Sequence, residues 1–313
     1  MKLEEIKDFL RNKKGYLKEG AYRLSKKLNS DIKLCKQALK DVRKEIKGVS
    51  IKAQPKKIKR LFYDIETSYN IVKSWRVGYN LNIQPNDILH ERAIISVAYK
   101  WEGEDLVNFL SWDKGCDKKL VEKFVKVMAE ADELVGHNIE RYDTSFLMTR
   151  AIKHGILALP KYTQYDTLKK AKQHFNFNSN KLDYIAKFLG LEGKYNHQGM
   201  KMWDDIIQYD LFNIGNKADR NHSMDEMITY NMMDVVQTEE VFNRLRLYTE
   251  HQTHHGVLLN KPKFTCPNDG SENVKLIKTV VTKAGTVKRL MQCEDCGQQF
   301  FLSNREYLNF LKK

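Results

Sequence analysis

With 313 residues, 42% of them hydrophobic, the chain is long enough for two domains or one large domain with appendages, and can fill a sizeable core. No apolar stretch approaches the roughly 18 to 20 residues of a membrane-spanning helix, and "MKLEEIKDFL" lacks the apolar block of a secretory signal; a cytoplasmic protein (host cytoplasm if viral), with no membrane partner, is expected. The formal net charge of +14 is uneven: residues 1–60 hold 20 Lys and Arg against 7 Asp and Glu, residues 61–260 hold 24 against 28, and residues 261–313 hold 10 against 5.

Basic ends around a mildly acidic centre point to an anionic polymer gripped at the ends and processed in the middle, hence to nucleic acid. Residues 1–46 read as short amphipathic helices. Leu3, Ile6 and Leu10 fit one face, Tyr22, Leu24 and Leu28 a second helix, and Ile32, Cys35, Leu39, Val42 and Ile46 the inward side of a third. Asn29, Ser30 and Asp31 supply capping residues before that third helix. Helix, tight polar turn and helix resemble a helix-turn-helix, with Lys33, Lys36, Lys40, Arg43 and Lys44 placed to meet phosphates. Residues 47–60 carry a Pro and a basic cluster without periodicity and read as a linker.

From residue 61 strands and helices alternate. "RLFYDIETS", "RAIISVAYKW" and "DLVNFLSW" are strand-like, "KKLVEKFVKVMAEA" is an amphipathic helix, and "ELVGHN" is a short buried strand running into the helix "RYDTSFLMTRAIKHG". Later helices are "NKLDYIAKFLGL" and "SMDEMITYNMMDVVQTEEVFNRLRLY". This order predicts an α/β fold, a mixed sheet with helices on its faces. Asp64 and Glu66 lie two apart on the first strand and share a face, where ionised carboxylates are costly unless paired, protonated or bound to metal. Asp143 falls in the early turns of the helix after Asn138. Tyr230 and Asp234, four apart, share a helix face, beside an apolar stripe of Ile228, Met232, Val235, Phe242 and Leu245 that faces the sheet. Tyr162 and Asp166 repeat the Tyr230–Asp234 spacing but precede the helical segment, so the Tyr230 pair is preferred. Four converging acids call for hard divalent cations, Mg²⁺ or Mn²⁺, and two such ions can stabilise both attacking and leaving oxygens of a phosphodiester.

Taken in order, "DIET", "HNIERYD" and "YNMMD" resemble the three motifs of the DEDDy (DnaQ-like) 3′–5′ exonucleases, and the stretch 60–250 is similar to the proofreading domain of family-B DNA polymerases. The resemblance implies a ribonuclease H-like fold and release of 5′-mononucleotides from a 3′ end with two Mg²⁺ or Mn²⁺ ions. It implies that Asp64, Glu66 and Asp234 hold metal directly and that Asp143 acts through metal-bound water. Tyr230 would position the nucleophile, with Thr67 and Asn138 contacting substrate or bracing the site. DNA ahead of RNA is the expected partner, and proofreading would need a separate DNA polymerase. Internal cutting at recognised sites, or an inert nucleic-acid-binding regulator, are the alternative functions.

Five cysteines, an odd number without secretory context, argue against disulfides. Cys35 and Cys116 are isolated. "FTCPNDGSENVKLIKTVVTKAGTVKRLMQCEDCGQQFF" resembles a zinc ribbon, with a hairpin turning at Ala284-Gly285 and a C-x-x-C at its end. Cys266, Cys293 and Cys296 are candidate ligands of one structural Zn²⁺; the fourth is Asp269, where a ribbon has Cys, or else His254 or His255. Lys275, Lys278, Lys283, Lys288 and Arg289 are expected to face phosphates. The domains read as 1–46 basic helical, 47–60 linker, 61–255 exonuclease and 256–313 ribbon. A ribbon beside a detached proofreading-like domain fits phage or mobile-element replication.

Overall fold

The structure, a computed structural model, describes residues 2–13, 21–48, 58–159, 161–191, 198–251 and 253–312; for residues 43–48 it describes the backbone alone. Most of the linker, Pro160 and the side chains of Arg43, Lys44 and Ile46 therefore lie outside the described residues. The chain divides into two compact units, Met1–Lys56 and Lys57–Lys313.

The first unit has three helices, α1 (Leu3–Asn12), α2 (Ala21–Leu28) and α3 (Ile32–Gly48). Asp31 caps α3, its Oδ1 accepting from the backbone N–H of Lys33 at 2.6 Å and of Leu34 at 3.2 Å. Ile6, Leu10, Leu24, Cys35, Ala38, Leu39 and Val42 form the core. Two expected core residues lie outside it: Tyr22 is 61% and Ile32 45% exposed. Both sit in the first turn of their helix, and Tyr22 lies under the Lys26 ammonium, 5.1 Å from the ring centre. Lys33, Lys36 and Lys40 are exposed along α3.

The second unit is built on a five-stranded mixed sheet. Its strands are β1 (Arg60–Thr67), β4 (Ile94–Trp101), β5 (Asn108–Ser111), β6 (Glu133–Gly136) and β7 (Gln164–Asp166), in the order β5-β4-β1-β6-β7. A two-stranded ribbon, β2 (Ile71–Val72) with β3 (Ile88–His90), lies between β1 and β4 in the chain. β1 is central: it pairs antiparallel with β4 and parallel with β6. Alternation along β1 sorts its side chains. Leu61, Tyr63 and Ile65 pack beneath α4 (Lys118–Ala129) and α5 (Asp143–Lys153), with Phe124, Met128 and Leu147. Phe62 faces the other way, joining Val235 and Phe242 of the long helix α9 (Lys217–Leu245). Asp64 and Glu66 continue the α9 side. α6 (Thr167–His174), α7 (Leu182–Phe188) and α8 (Met200–Phe212) complete the helical layers, α8 lying along α9.

The C-terminal segment holds α10 (His255–Leu258), β8 (Val274–Val281), β9 (Val287–Cys293), β10 (Gln299–Ser303) and α11 (Asn304–Phe310). The expected hairpin is β8–β9, with Gly285 at φ +77° in its turn; β10 extends it to a three-stranded antiparallel sheet. A buried polar network ties this segment to the main sheet. At the start of β1, Arg60 donates from Nε to Glu133 Oε2 at 2.6 Å and from Nη1 to Glu102 Oε2 at 2.9 Å. Its Nη2 donates to the Asn268 carbonyl at 2.6 Å and to Asn268 Oδ1 at 2.9 Å. Burial alone would raise the Glu133 carboxyl, yet contact with His251 and the charge of Arg60 hold it at about 2. Burial pushes His255, beside the pair, down to about 4. No helix among the described residues is long and apolar enough to cross a membrane.

Candidate active site

Three elements deliver the acids. β1 carries Asp64 and Glu66, and α9, held on the sheet by Val235 and Phe242, carries Asp234 to the same place. One carboxylate oxygen from each of Asp64, Glu66 and Asp234 lies within 4.8 Å of the other two. Asp143 arrives by a tight turn. A Cβ on Gly136 would stand 2.8 Å from the Ile139 Cβ, so glycine lets the chain fold back closely at the end of β6. Asn138 then takes a left-handed conformation, φ +70°, and α5 starts with Asp143 against β1. The Asp143 Oδ1 accepts the Ile65 N–H at 3.2 Å.

The electrostatics are those of crowded acids. Burial, then the charges of Asp143, Glu66 and Asp234, push Asp64 well above the usual carboxylate range. Burial raises Asp143 to about 7, against the pull of backbone N–H groups. The Tyr230 phenol is driven far above its ordinary value by burial, by the charges of Asp234 and Glu66 and by its hydrogen bond to Asp234, so it stays protonated and donates to that carboxylate. Like charges at this spacing disfavour one another, and the oxygen-only donor set suits hard divalent cations.

Sequence reading missed Asn231. It is fully buried on α9, donates from Nδ2 to Asp64 Oδ2 at 2.7 Å, and accepts from Ser96 Oγ at 3.2 Å. Its signal was an amide inside the helical stripe facing the sheet. Thr67 and Asn138 both sit in bracing arrangements. The Thr67 hydroxyl bonds the Tyr142 hydroxyl at 2.9 Å and its carbonyl accepts from Trp203 Nε1 at 3.2 Å; the Asn138 N–H donates to Asp166 Oδ1 at 3.0 Å. Asp166 also accepts from the Glu140 and Lys169 N–H groups, so this carboxylate fastens the Asn138 turn and caps α6. Tyr162, its sequence partner, has a buried hydroxyl without a hydrogen bond among the described residues.

A second donor set lies in the C-terminal segment. Atoms of Cys266, Asp269, Cys293 and Cys296 all lie within 4.8 Å of one another. Cys266 Sγ is 3.6 Å from Cys296 Sγ, and Cys293 Sγ is 3.7 Å from Asp269 Oδ2, close to the edge of roughly 3.8 Å set by Zn–S bonds of ~2.3 Å. The hydrogen bond from Cys266 brings the Cys296 thiol down to about 6, whereas burial raises Cys293 to about 11. His254 bonds the Lys263 carbonyl and the Val257 N–H, and His255 lies beside Arg60, so neither joins this set. Two hairpin cations expected at phosphates have protein partners: Lys275 pairs with Glu294 at 2.9 Å, and Arg289 stacks on Tyr307 and bonds Asn304. Lys278, Lys283 and Lys288 are exposed.

The five-stranded sheet, three antiparallel strands followed by two parallel ones with helices on both faces, is a ribonuclease H-like fold. Residues 89–246, half of the chain, match the family model described as the RNase_H superfamily, and the chain belongs to that superfamily. The matched span holds Asn138, Asp143, Tyr230 and Asp234 and begins beyond Asp64 and Glu66. Among solved structures, the chain is similar to the family B DNA polymerase from the hyperthermophilic archaeon Pyrobaculum calidifontis, at 15% identity and a TM-score of 0.45. That similarity covers 61% of this chain and 25% of the polymerase, so the chain spans about a quarter of that protein's length. No curated protein matches.

Proposed function

We propose that the chain is a metal-dependent 3′–5′ exonuclease acting on nucleic acid, DNA ahead of RNA. One observation carries the reading: the Asp64, Glu66 and Asp234 oxygens meet within 4.8 Å while Asp143 is fastened against β1. When bound, two Mg²⁺ or Mn²⁺ ions supply Lewis-acid stabilisation of the attacking water and the departing oxygen. Asp64, Glu66 and Asp234 would hold them, and Asp143, close enough for its charge to raise Asp64, would act through metal-bound water. Tyr230, kept protonated by donating to Asp234, would orient the attacking water by accepting one of its hydrogens on the phenolic oxygen. Asn231 holds Asp64 through Oδ2, which would keep the carboxylate in place to hold a cation. Thr67 and Asn138 hold the strand end and turn between which a 3′ terminus would sit.

Around this centre we place 1–46 as a helical nucleic-acid-binding domain, 47–60 as a linker, 61–255 as the nuclease, and 256–313 as a ribbon holding one structural Zn²⁺. Lys33, Lys36 and Lys40 meet phosphates, and a separate DNA polymerase is the partner for any proofreading, in the cytoplasm. The test uses oligonucleotides labelled at either end, with Mg²⁺. A 5′ label should yield a descending ladder and a 3′ label an immediate mononucleotide, both lost in Asp64→Ala/Glu66→Ala. Covalently closed circular DNA should stay intact; its linearisation, or activity indifferent to the double substitution, refutes the proposal.

A further inference from the structure

Between β2 and β3 the chain leaves the protein body. Every residue from Val72 to Asn86 is exposed, and Trp75, Val77 and Tyr79 are wholly so. Large apolar side chains recur at alternate positions, Trp75, Val77, Tyr79, Leu81 and Ile83, with Arg76, Asn80 and Asn82 between them. Undirected exposure of this kind would be an aggregation hazard; concentrated in one place, it marks a binding surface. At the loop's base the Lys73 N–H donates to the Asp87 carbonyl and the Gln84 N–H to Asp87 Oδ2, both at 2.9 Å; farther out, Ser74 bonds Arg76 and Gln84 bonds Asn82, both within the loop.

Two observations identify the occupant. The first is charge: residues 67–86 contain Lys73 and Arg76 and no Asp or Glu, although residues 61–260 as a whole are net acidic. The second is position. The loop follows directly on Thr67 at the end of the strand bearing Asp64 and Glu66. Its stem residues Tyr69 and Ile71 pack in the same apolar cluster as Tyr230, and the Tyr69 hydroxyl donates to Asp204 Oδ1 at 2.8 Å. Flat rings next to cations, without acids and joined to a phosphodiester-cleaving centre, fit unpaired bases and their backbone.

We propose that this loop is a stacking platform for single-stranded nucleic acid: bases of the strand whose 3′ end lies at the carboxylates stack on Trp75 and Tyr79, and Arg76 meets a phosphate. The platform rests on the nuclease reading for its direction towards the site, and it selects an unpaired strand, because bases within a duplex offer no free faces.

Binding is measured in EDTA, without turnover, by anisotropy of fluorescein-labelled dT12 and rU12 on the full chain. Trp75→Ala and Tyr79→Ala should each weaken binding of dT12, of rU12 or of both about 5-fold, and the double variant roughly 30-fold, for one stacked base per ring. Trp75→Phe should retain most of the affinity, and dT12 or rU12 should quench tryptophan emission in the wild type more than in Trp75→Phe. In Mg²⁺ the double variant should raise KM for the oligonucleotide while kcat/KM for thymidine 5′-(4-nitrophenyl) phosphate, too small to reach the loop, is unchanged. Failure of hydrolysis with the EDTA binding loss intact sinks the nuclease reading alone. Equal affinity of wild type and double variant for both oligonucleotides overturns the platform, as does protection of the rings only by a second copy of the chain in sedimentation.

Discussion

Replacing Asn231 by Ala tests whether the acidic site depends on a residue that touches neither substrate nor metal. The wild-type amide donates to Asp64 Oδ2 at 2.7 Å from a fully buried position. A hydrogen bond to a charged group at that depth contributes about 1.5–3 kcal/mol. At ~1.4 kcal/mol per decade, that is a 10- to 100-fold loss in affinity for the divalent cation, the range found when groups that orient metal ligands are removed. Calorimetric titration of Mn²⁺ should give this weakening, and the half-saturating Mg²⁺ for oligonucleotide hydrolysis should rise in parallel. Activity at saturating metal should stay within a few-fold, because Asn231 acts through Asp64 and is not itself a catalytic residue. Unchanged metal affinity in a variant with native circular dichroism would show that Asp64 is held by the backbone alone and refute the reasoning.

Three further outcomes are expected. Arg60→Met leaves Glu133 buried and ionised, at a cost of about 3–5 kcal/mol, read as a lower urea midpoint. On acidification, His255, whose folded value of about 4 is below its ordinary 6.5, withdraws its stabilisation as pH falls from 6.5 to 4. Glu133, at about 2 against 4.5, does so from 4.5 to 2. Each loss is on the order of 3 kcal/mol, and Glu133→Gln should flatten the lower limb of a stability–pH curve, whereas an unaltered limb would contradict the assignment. Protein purified without chelators should contain one zinc per chain by plasma mass spectrometry, absent from Cys293→Ser/Cys296→Ser; equal zinc in both would place the ion elsewhere.

The parts of this molecule legible in the sequence are those governed by local periodicity. Asp64 and Glu66 share a face because strands alternate, and Tyr230 and Asp234 do because helices turn every 3.6 residues, so each pair could be read alone. That the two pairs meet, and that Asp143 comes to lie against β1 beside them, depends on how β6 and α9 dock on β1; the family resemblance supplied it, and spacing could not. Asn231 was passed over because an amide does not register in a stripe traced by apolar residues, although it stands three residues after Ile228 and four before Val235, and its bond from Ser96 gives it a task. Tyr22 and Ile32 were misplaced because periodicity marks a helix's apolar side without saying where the neighbouring helix ends. The exposed Trp75–Ile83 alternation has the pattern of a half-buried strand, and only the absence of covering residues distinguishes it. The Arg60 network joins positions 73 and 208 residues apart in sequence, beyond any local pattern.

That network limits how the molecule can be divided. A shortened chain stopping before Phe264 would keep every acidic side chain of the cleft, yet strip Asn268 from the Arg60 guanidinium and open the root of the middle strand to water. Asp64 stands only four residues along that strand, about 13 Å away. Trimming the tail would therefore loosen the footing of the very strand that presents the acids, and a minimal nuclease has to be made by redesigning that seam rather than by cutting it.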